Sequence, residues 1–275
     1  MDEELKRKYQ RLQGALRDLG SLAVGFSGGV DSTLLLRVAH GVLGDRVLAV
    51  TATSEMQPAF ELAAAKQLAE EIGARHVVIE TSPLDVDRIA ANPPDRCYHC
   101  KRALFTRVAE VASEHGIEHV ADGTNADDAG AYRPGTRAAE ELGVLRPLQD
   151  AGLTKPDLRR LSRELGLPTW DQPAYACLAT RIPYGRELRP AELRMVDAAE
   201  DFLRELGFRQ CRVRHHGSVA RIEVEPGRVP DAAAPETAGR IARRLREIGF
   251  RHVTLDLQGY RSGSFDDHLA DTGDE

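Results

Sequence analysis

The sequence predicts an α/β fold, a parallel sheet with helices on both faces, followed by a smaller C-terminal α+β domain. Three observations carry this reading. Short apolar runs alternate with amphipathic ones from residue 21 to about 150, the pattern of a parallel sheet covered by helices. A turn rich in glycine and serine joins the first apolar run directly to a helical one. Beyond residue 185 the order changes to helix, two strands, helix and strand. The expected division is an α/β domain over 1–184, a small α+β domain over 185–265 and a tail over 266–275. That tail is acidic and sparse in apolar residues, as disordered segments are.

Taken in order, residues 22–26 form the first strand candidate and run into Ser27-Gly28-Gly29-Val30-Asp31-Ser32, with a helix over 33–42. Further strands are expected at 47–51, 76–79, 119–121 and, with the weakest pattern, 144–148. The helices between them are expected at 58–72, 101–115 and 137–142. The 58–72 stretch is rich in alanine, keeps its apolar residues on one face and ends before Gly73, a good stop. A helix over 155–165 is ended by Gly166 and Pro168. Residues 169–186 hold Trp170, Cys177, Arg181 and Tyr184 among prolines, which reads as a functional loop joining two domains. Then follow a helix at 190–206, strands at 212–215 and 220–224 turning near Gly217, a helix at 238–248 and a strand at 252–257. No internal repeat interrupts this order.

The chain has 275 residues and is 42% hydrophobic, enough for packed cores. No apolar run approaches the ~20 residues of a membrane-spanning helix. The polar start does not read as a signal peptide, so a cytoplasmic protein is expected. A net charge of −6 weighs against a nucleic-acid partner. Four cysteines in a cytosolic chain are expected to be free, catalytic or metal-binding rather than disulfide-bonded.

The chemistry begins at the Ser-Gly-Gly turn. Glycines let the backbone approach a ligand closely. A helix opening there presents unpaired N–H groups and partial positive charge. With the hydroxyls of Ser27 and Ser32, the residues Ser27, Gly28, Gly29, Asp31 and Ser32 make a pyrophosphate cradle. A plain strand-turn-helix is the bland alternative, disfavoured by the order of strand, glycines, serines and acid. No Gly-Lys-Ser/Thr pair follows, so this is not a Walker A loop. In ligand-binding sheets of this kind the site lies at the carboxyl ends of the strands, where this turn falls.

Asp127 and Asp128, in Asp122-Gly123-Thr124-Asn125-Ala126-Asp127-Asp128, are placed to hold Mg²⁺ beside a phosphate or to cap a turn. Arg133 follows as a clamp for phosphate or carboxylate. Cys97 and Cys100 form a Cys-x-x-Cys pair open to zinc, an iron–sulfur cluster or dithiol chemistry. Their basic neighbours Arg96 and Lys101 favour thiolates. Cys177 stands apart, and three thiolates on a cluster leave one iron open. Cys211 reads as a small buried apolar residue. Arg212 and Arg214, two apart in a strand, share a face and suit a phosphate or dicarboxylate, or ion pairs with Glu223 or Glu225. His215 and His216 read as surface or core residues rather than ligands.

SGGVDS resembles the PP-loop of the ATP pyrophosphatases, a resemblance that implies a Rossmann-like fold and cleavage of ATP between the α and β phosphates. Together with CYHCK, GTNADD, Tyr132-Arg133-Pro134-Gly135, CLATRIPYG from Cys177 and the Arg-Val-Arg strand, the chain resembles the LarE family over about residues 21–225. These are ATP-dependent sulfur transferases of nickel-pincer nucleotide cofactor synthesis. The resemblance implies a pyridinium mononucleotide substrate bearing two carboxylates, with ATP and Mg²⁺. It makes Cys177 and Asp31 the catalytic candidates, and sets Ser27, Gly28, Gly29, Asp31 and Ser32 on the ATP phosphates. Asp127 and Asp128 would hold metal or phosphate, and Arg212, Arg214 and Arg181 would grip the substrate. The family divides over the sulfur source. In one branch the cysteine at the position of Cys177 gives up its own sulfur and becomes dehydroalanine. The other resembles cluster-dependent tRNA thiolases, with a [4Fe–4S] cluster on three cysteines. Cys97, Cys100 and Cys177 are all present, so the cluster form is expected, with Cys177 as ligand. A homo-oligomer and a sulfur-supplying partner are further implications.

Three rivals remain at this level. A tRNA thiolase would bring a basic surface and often extra zinc-binding cysteines, against the net charge of −6 here. An ammonia-using ligase such as an NAD synthetase shares the loop but has no need of three cysteines. A non-catalytic, zinc-stabilised nucleotide-binding module would bind ATP without releasing pyrophosphate.

Overall fold

Apolar residues on both sides of every strand build the first sheet. In a computed structural model, which describes residues 1–128, 134–173 and 175–261, the strands Leu22–Gly25 (β1), Val47–Thr53 (β2), Arg75–Glu80 (β3) and Val120–Ala121 (β4) lie parallel in the order β3-β2-β1-β4. The register sets Leu22 beside Val47 and Ala23 beside Val120. Successive residues point to opposite faces. Leu22, Val24, Val47 and Ala49 therefore join one apolar layer with the helices Glu3–Leu19, Val30–Leu43, Ala59–Ile72 and Lys155–Glu164. Ala23, Leu48 and Val50 join the other with Phe105 and Val108 of the helix Arg96–Glu114 and Ala139 of Pro134–Glu141. Strands buried on both faces are the mark of a helix-covered parallel sheet.

Two features differ from the sequence reading. The strand expected at 144–148 is a single bridge, Ala121 to Leu145, after which Pro147 starts the helical turn Pro147–Asp150. Proline has no N–H for a ladder and suits the first position of a helix. The helix Glu3–Leu19 was not foreseen. It buries Leu5, Leu12 and Leu16 and is capped by the Asp2 side chain, which accepts from the Leu5 N–H at 2.9 Å. The foreseen helices also start earlier, at Val30 and Arg96, so Asp31, Ser32, Cys97 and Cys100 lie within first helical turns.

Contacts gather the chain into two compact units. The first is Met1–Ser54 with Ala59–Ile89 and Asp95–Tyr175; the second is the chain from Ala176 on, with the short segments Glu55–Pro58 and Ala90–Pro94. In the second, Cys211–His216 (β5) pairs antiparallel with Val219–Val224 (β6), and His252–Leu255 (β7) adds parallel to β6. The two-residue turn needs a left-handed residue, which Gly217 supplies at φ +68°. One face of this sheet buries Cys211, Val213 and Ile222 with Leu203 of the helix Pro190–Glu205 and Leu245 of Pro235–Ile248. The other face is buried too, yet carries charge: Arg212 and Arg214 are 3% and 5% exposed, and Glu223 1%. Backbone bonds from Leu178 to Met56, Gly185 to Asn92 and Leu188 to Ala90 hold the inserted segments. Among the described residues no helix is long and apolar enough to cross a membrane.

Candidate functional site

The turn after β1 is shaped by backbone needs. Gly28 takes φ +73°, and a Cβ there would stand 3.2 Å from the Ala65 Cα. Gly29 is the N-cap of the helix Val30–Leu43 and brings no side chain to its first N–H groups. A ligand can therefore take those donors. The Ser27 and Ser32 hydroxyls lie 3.0 Å apart, and Ser27 Oγ also accepts from the Gly29 N–H at 3.3 Å. The entry to the turn is fixed by Thr51, whose hydroxyl donates to the Phe26 carbonyl at 2.7 Å. With its proton spent there, Thr51 accepts from the Nε2–H of His76 at 2.8 Å. Burial, then the charge of Lys66, holds the His76 pKa below its ordinary value.

A second loop closes on this turn. A Cβ on Gly123 would lie 2.9 Å from the Ser32 nitrogen, so only glycine permits the approach. Asn125 Nδ2 then donates to Asp31 Oδ2 at 3.1 Å. Lys155 Nζ donates to Asp31 Oδ1 at 2.5 Å, while its own backbone N–H donates to Asp127 Oδ2 at 2.7 Å. Asp128 Oδ2 accepts from the Asn125 N–H at 3.0 Å. Asp31, Asp127 and Asp128 are thus linked through Asn125 and Lys155 rather than gathered as one carboxylate group. Neither Asn125 nor Lys155 was singled out from the sequence. The available signal for Lys155 was the capping box Thr154–Asp157, which sets it at the first position of its helix. Arg133 lies outside the described residues.

Cys97 and Cys100 sit one turn apart on the helix Arg96–Glu114, and both are half-buried and outside any disulfide. Arg96 is buried and donates from Nη2 to Cys97 Sγ at 3.8 Å. The helix Pro134–Glu141 is pressed against this turn. A Cβ on Gly135 would stand 2.9 Å from Lys101 Cγ and 3.4 Å from the Cys97 carbonyl. Tyr98 donates to Glu141 at 2.6 Å, and Arg137 lies 4.2 Å over the Tyr98 ring.

In the second unit Cys177 precedes the short helical turn Leu178–Arg181. Arg214 pairs with Glu223 through two bonds of 3.0 and 2.8 Å, the ion pair that the strand pattern left open. Arg212 donates to the Cys211 carbonyl at 2.7 Å and lies 5.0 Å over the Tyr260 ring. Arg181 pairs with Glu200. Burial alone would raise the Glu200 pKa, but the charge and hydrogen bonds of Arg181 outweigh it and hold the carboxyl below its ordinary range. Burial, then the neighbouring charge of Glu200, pushes the Cys211 thiol up to about 12. Cys211 is therefore expected to resist iodoacetamide in the folded, iron-free protein at pH 8, while Cys97, Cys100 and Cys177 are labelled. Peptide masses after a timed pulse check this, and labelling of Cys211 as fast as the others would refute it.

A parallel sheet of order β3-β2-β1-β4, opening after β1 into a Gly-Gly turn whose helix end is bare, defines a PP-loop nucleotide-binding α/β protein. The family model for asparagine synthase matches residues 10–133. The chain is 42% identical over 266 residues to the pyridinium-3,5-bisthiocarboxylic acid mononucleotide synthase of Lactiplantibacillus plantarum, covering 96% of each chain. It is 40% identical over 259 residues to an uncharacterized protein of Synechocystis sp., covering 94% of this chain and 97% of that one. An uncharacterized protein of Methanocaldococcus jannaschii is 29% identical over 88% of this chain and 91% of its own. The chain belongs to the LarE family of ATP-dependent sulfur-transferring enzymes.

Proposed function

We propose that this enzyme inserts sulfur into a pyridinium mononucleotide bearing carboxylates, consuming ATP. The observation that carries the reading is the 42% identity, across 96% of both chains, to a synthase named for the bisthiocarboxylic acid product. A carboxylate oxygen attacks the α-phosphorus of ATP, the bond to the β-phosphate oxygen breaks and pyrophosphate leaves. The acyl adenylate then has a good leaving group. A sulfur nucleophile forms the C–S bond, and AMP departs with the C–O electron pair. Ser27, Gly28, Gly29, Asp31 and Ser32 receive the phosphates. Asp127 and Asp128 are the residues that would hold Mg²⁺, which when bound would supply positive charge toward the pyrophosphate; the helix-end N–H groups stabilise the charge on that leaving group. Lys155 adds the cation that the Ser-Gly-Gly loop lacks. Arg212 supplies positive charge for the substrate's phosphate and carboxylates, and Arg133 a further clamp; Arg214, spent on Glu223 and the Thr180 carbonyl, holds the loop instead. A reducing, cytoplasmic setting accords with four cysteines outside any disulfide, and a sulfur-supplying partner completes the reading.

For the sulfur source, the donor chemistry of Cys97, Cys100 and Cys177 fits a [4Fe–4S] cluster: three half-buried thiols outside any disulfide, two about one helical turn apart. When bound, such a cluster offers one iron without a protein ligand, where an extra sulfide can be carried. A second reading, the sacrifice of the Cys177 sulfur itself, is favoured by one observation: Cys177 belongs to a different compact unit from Cys97 and Cys100.

Iron, acid-labile sulfide and intact mass decide between them, measured on protein purified without oxygen and again after one turnover. About four irons per chain and an unchanged mass are expected. Absence of iron, with a loss of one H₂S located at Cys177, would establish the sacrificial cysteine. ATP bound intact, with zinc and no pyrophosphate release, would overturn the enzymatic reading altogether.

A further inference from the structure

Two buried arginine–glutamate pairs of the second unit end on the same stretch of backbone, Ala176 to Thr180. Arg181 is fully buried. Its Nε and Nη2 donate to the two oxygens of Glu200, each at 2.8 Å. Its third nitrogen, Nη1, donates to the Ala176 carbonyl at 2.8 Å, the Cys177 carbonyl at 3.1 Å and Thr180 Oγ1 at 2.7 Å. The Thr180 hydroxyl in turn donates to the Cys177 carbonyl at 2.9 Å, so that oxygen accepts twice. Arg214 repeats the arrangement. It is held on Glu223 by two nitrogens and donates with Nη1 to the Thr180 carbonyl at 2.9 Å. Glu200 also accepts from the Val213 N–H at 2.9 Å, which ties the loop to β5.

Stability does not explain this construction. Desolvating two ion pairs costs about as much as their attraction returns, and apolar residues of equal volume often hold a core as well. What the guanidinium provides is direction. It is planar, so two nitrogens fixed on Glu200 aim the third at the carbonyls around Cys177. The peptide planes on either side of Cys177 are thereby set, and with them the direction of its Cα–Cβ bond, which limits where Sγ can lie.

We infer that Arg181, oriented by Glu200, is a positioning residue for Cys177, acting through the cysteine backbone in place of a grip on substrate. The inference rests on the reading that Cys177 serves the sulfur step. Arg181→Lys keeps the charge and loses the fork. Three quantities test it: the iodoacetamide labelling rate of Cys177 against Cys97 in the same iron-free molecule, sulfur transferred to the mononucleotide, and KM for ATP and mononucleotide. The labelling ratio is expected to change about fivefold or more. Sulfur transfer is expected to fall about 10- to 100-fold, with both KM values within about twofold.

If the lysine variant does not fold, the double variant Arg181→Met with Glu200→Leu removes both charges together and leaves neither orphaned. It should show the same pattern. Labelling and transfer both unchanged in a folded variant would overturn the inference, as would failure of the double variant to fold. A rise in KM for the mononucleotide matching the loss of transfer would also overturn it, because Arg181 would then touch substrate. Cys177→Ala separates the underlying reading. If that chain still transfers sulfur, the role of Cys177 falls, whereas a shifted labelling ratio still reports the positioning.

Discussion

Cys177→Ala is expected to lower thiocarboxylate product by at least about 10³-fold, because it removes a participant rather than weakening a contact. Pyrophosphate should still appear when ATP and the mononucleotide are mixed with this variant. On the proposed reading activation belongs to the Ser27–Ser32 turn and Asp31, which lie in the first unit, whereas Cys177 lies in the second. The adenylate formed would then be lost to water, so pyrophosphate released per product would rise steeply. The same loss is expected whether Cys177 ligates a cluster or gives up its own sulfur, which makes the variant a test of the residue's role under either reading. Cys211→Ala is the matched comparison. Its thiol is buried and contacts the Glu200 carbonyl at 3.8 Å, and it should transfer sulfur as the parent does. Product formation in Cys177→Ala above a tenth of the parent level would exclude the assignment. Measurement of pyrophosphate and thiocarboxylate in the same quenched samples gives both quantities at once.

The sequence carried what depends on local demand. Glycines, hydroxyls and an acid after a short apolar run announce a phosphate turn because only those residue types satisfy its backbone and donors. The strands β1 to β3 were legible as buried apolar runs of the right length. The run of Val144, Leu145 and Leu148 was equally apolar and equally buried in its surroundings. Periodicity alone does not separate such a run from a helical turn, and Pro147 decides it. The helix Glu3–Leu19 lay hidden under polar residues, although Leu5, Leu12 and Leu16 already fell on one face. The paired charges were hardest to read. Strand alternation placed Arg212 and Arg214 together, yet nothing local says that this face is buried. The register that sets Arg212 beside Glu223 joins residues on two strands, and Arg181 meets Glu200 across a loop and a helix. Lys155 was silent for the same reason, since 124 residues separate it from Asp31 and only the folded sheet brings them together.

That meeting carries the second large effect. Lys155→Met keeps the length and apolar stem of the side chain and removes its charge beside Asp31. Here Asp31 holds Lys155 at 2.5 Å on one oxygen and Asn125 at 3.1 Å on the other. The ammonium is therefore fixed in place before any phosphate arrives. A preset donor costs no reorganisation when charge develops on the departing pyrophosphate, and removing one such donor typically costs about 10²–10³ in turnover. Pyrophosphate release by Lys155→Met is expected to fall by that factor. The fold should survive, because the side chain is a third exposed and the helix keeps its Thr154–Asp157 cap. Asn125→Ala removes the other partner of Asp31 and leaves the cation, so its loss should be smaller, about tenfold. Asp31 itself stands in the proposed site, so Asp31→Asn alone sets the baseline of the cycle. If Lys155 only balanced Asp31, adding Lys155→Met to Asp31→Asn would cost nothing further; if it binds phosphate, the double variant falls below Asp31→Asn by the same factor. Initial rates of pyrophosphate release across the four chains, at saturating ATP, distinguish the two, and the second result is the one expected.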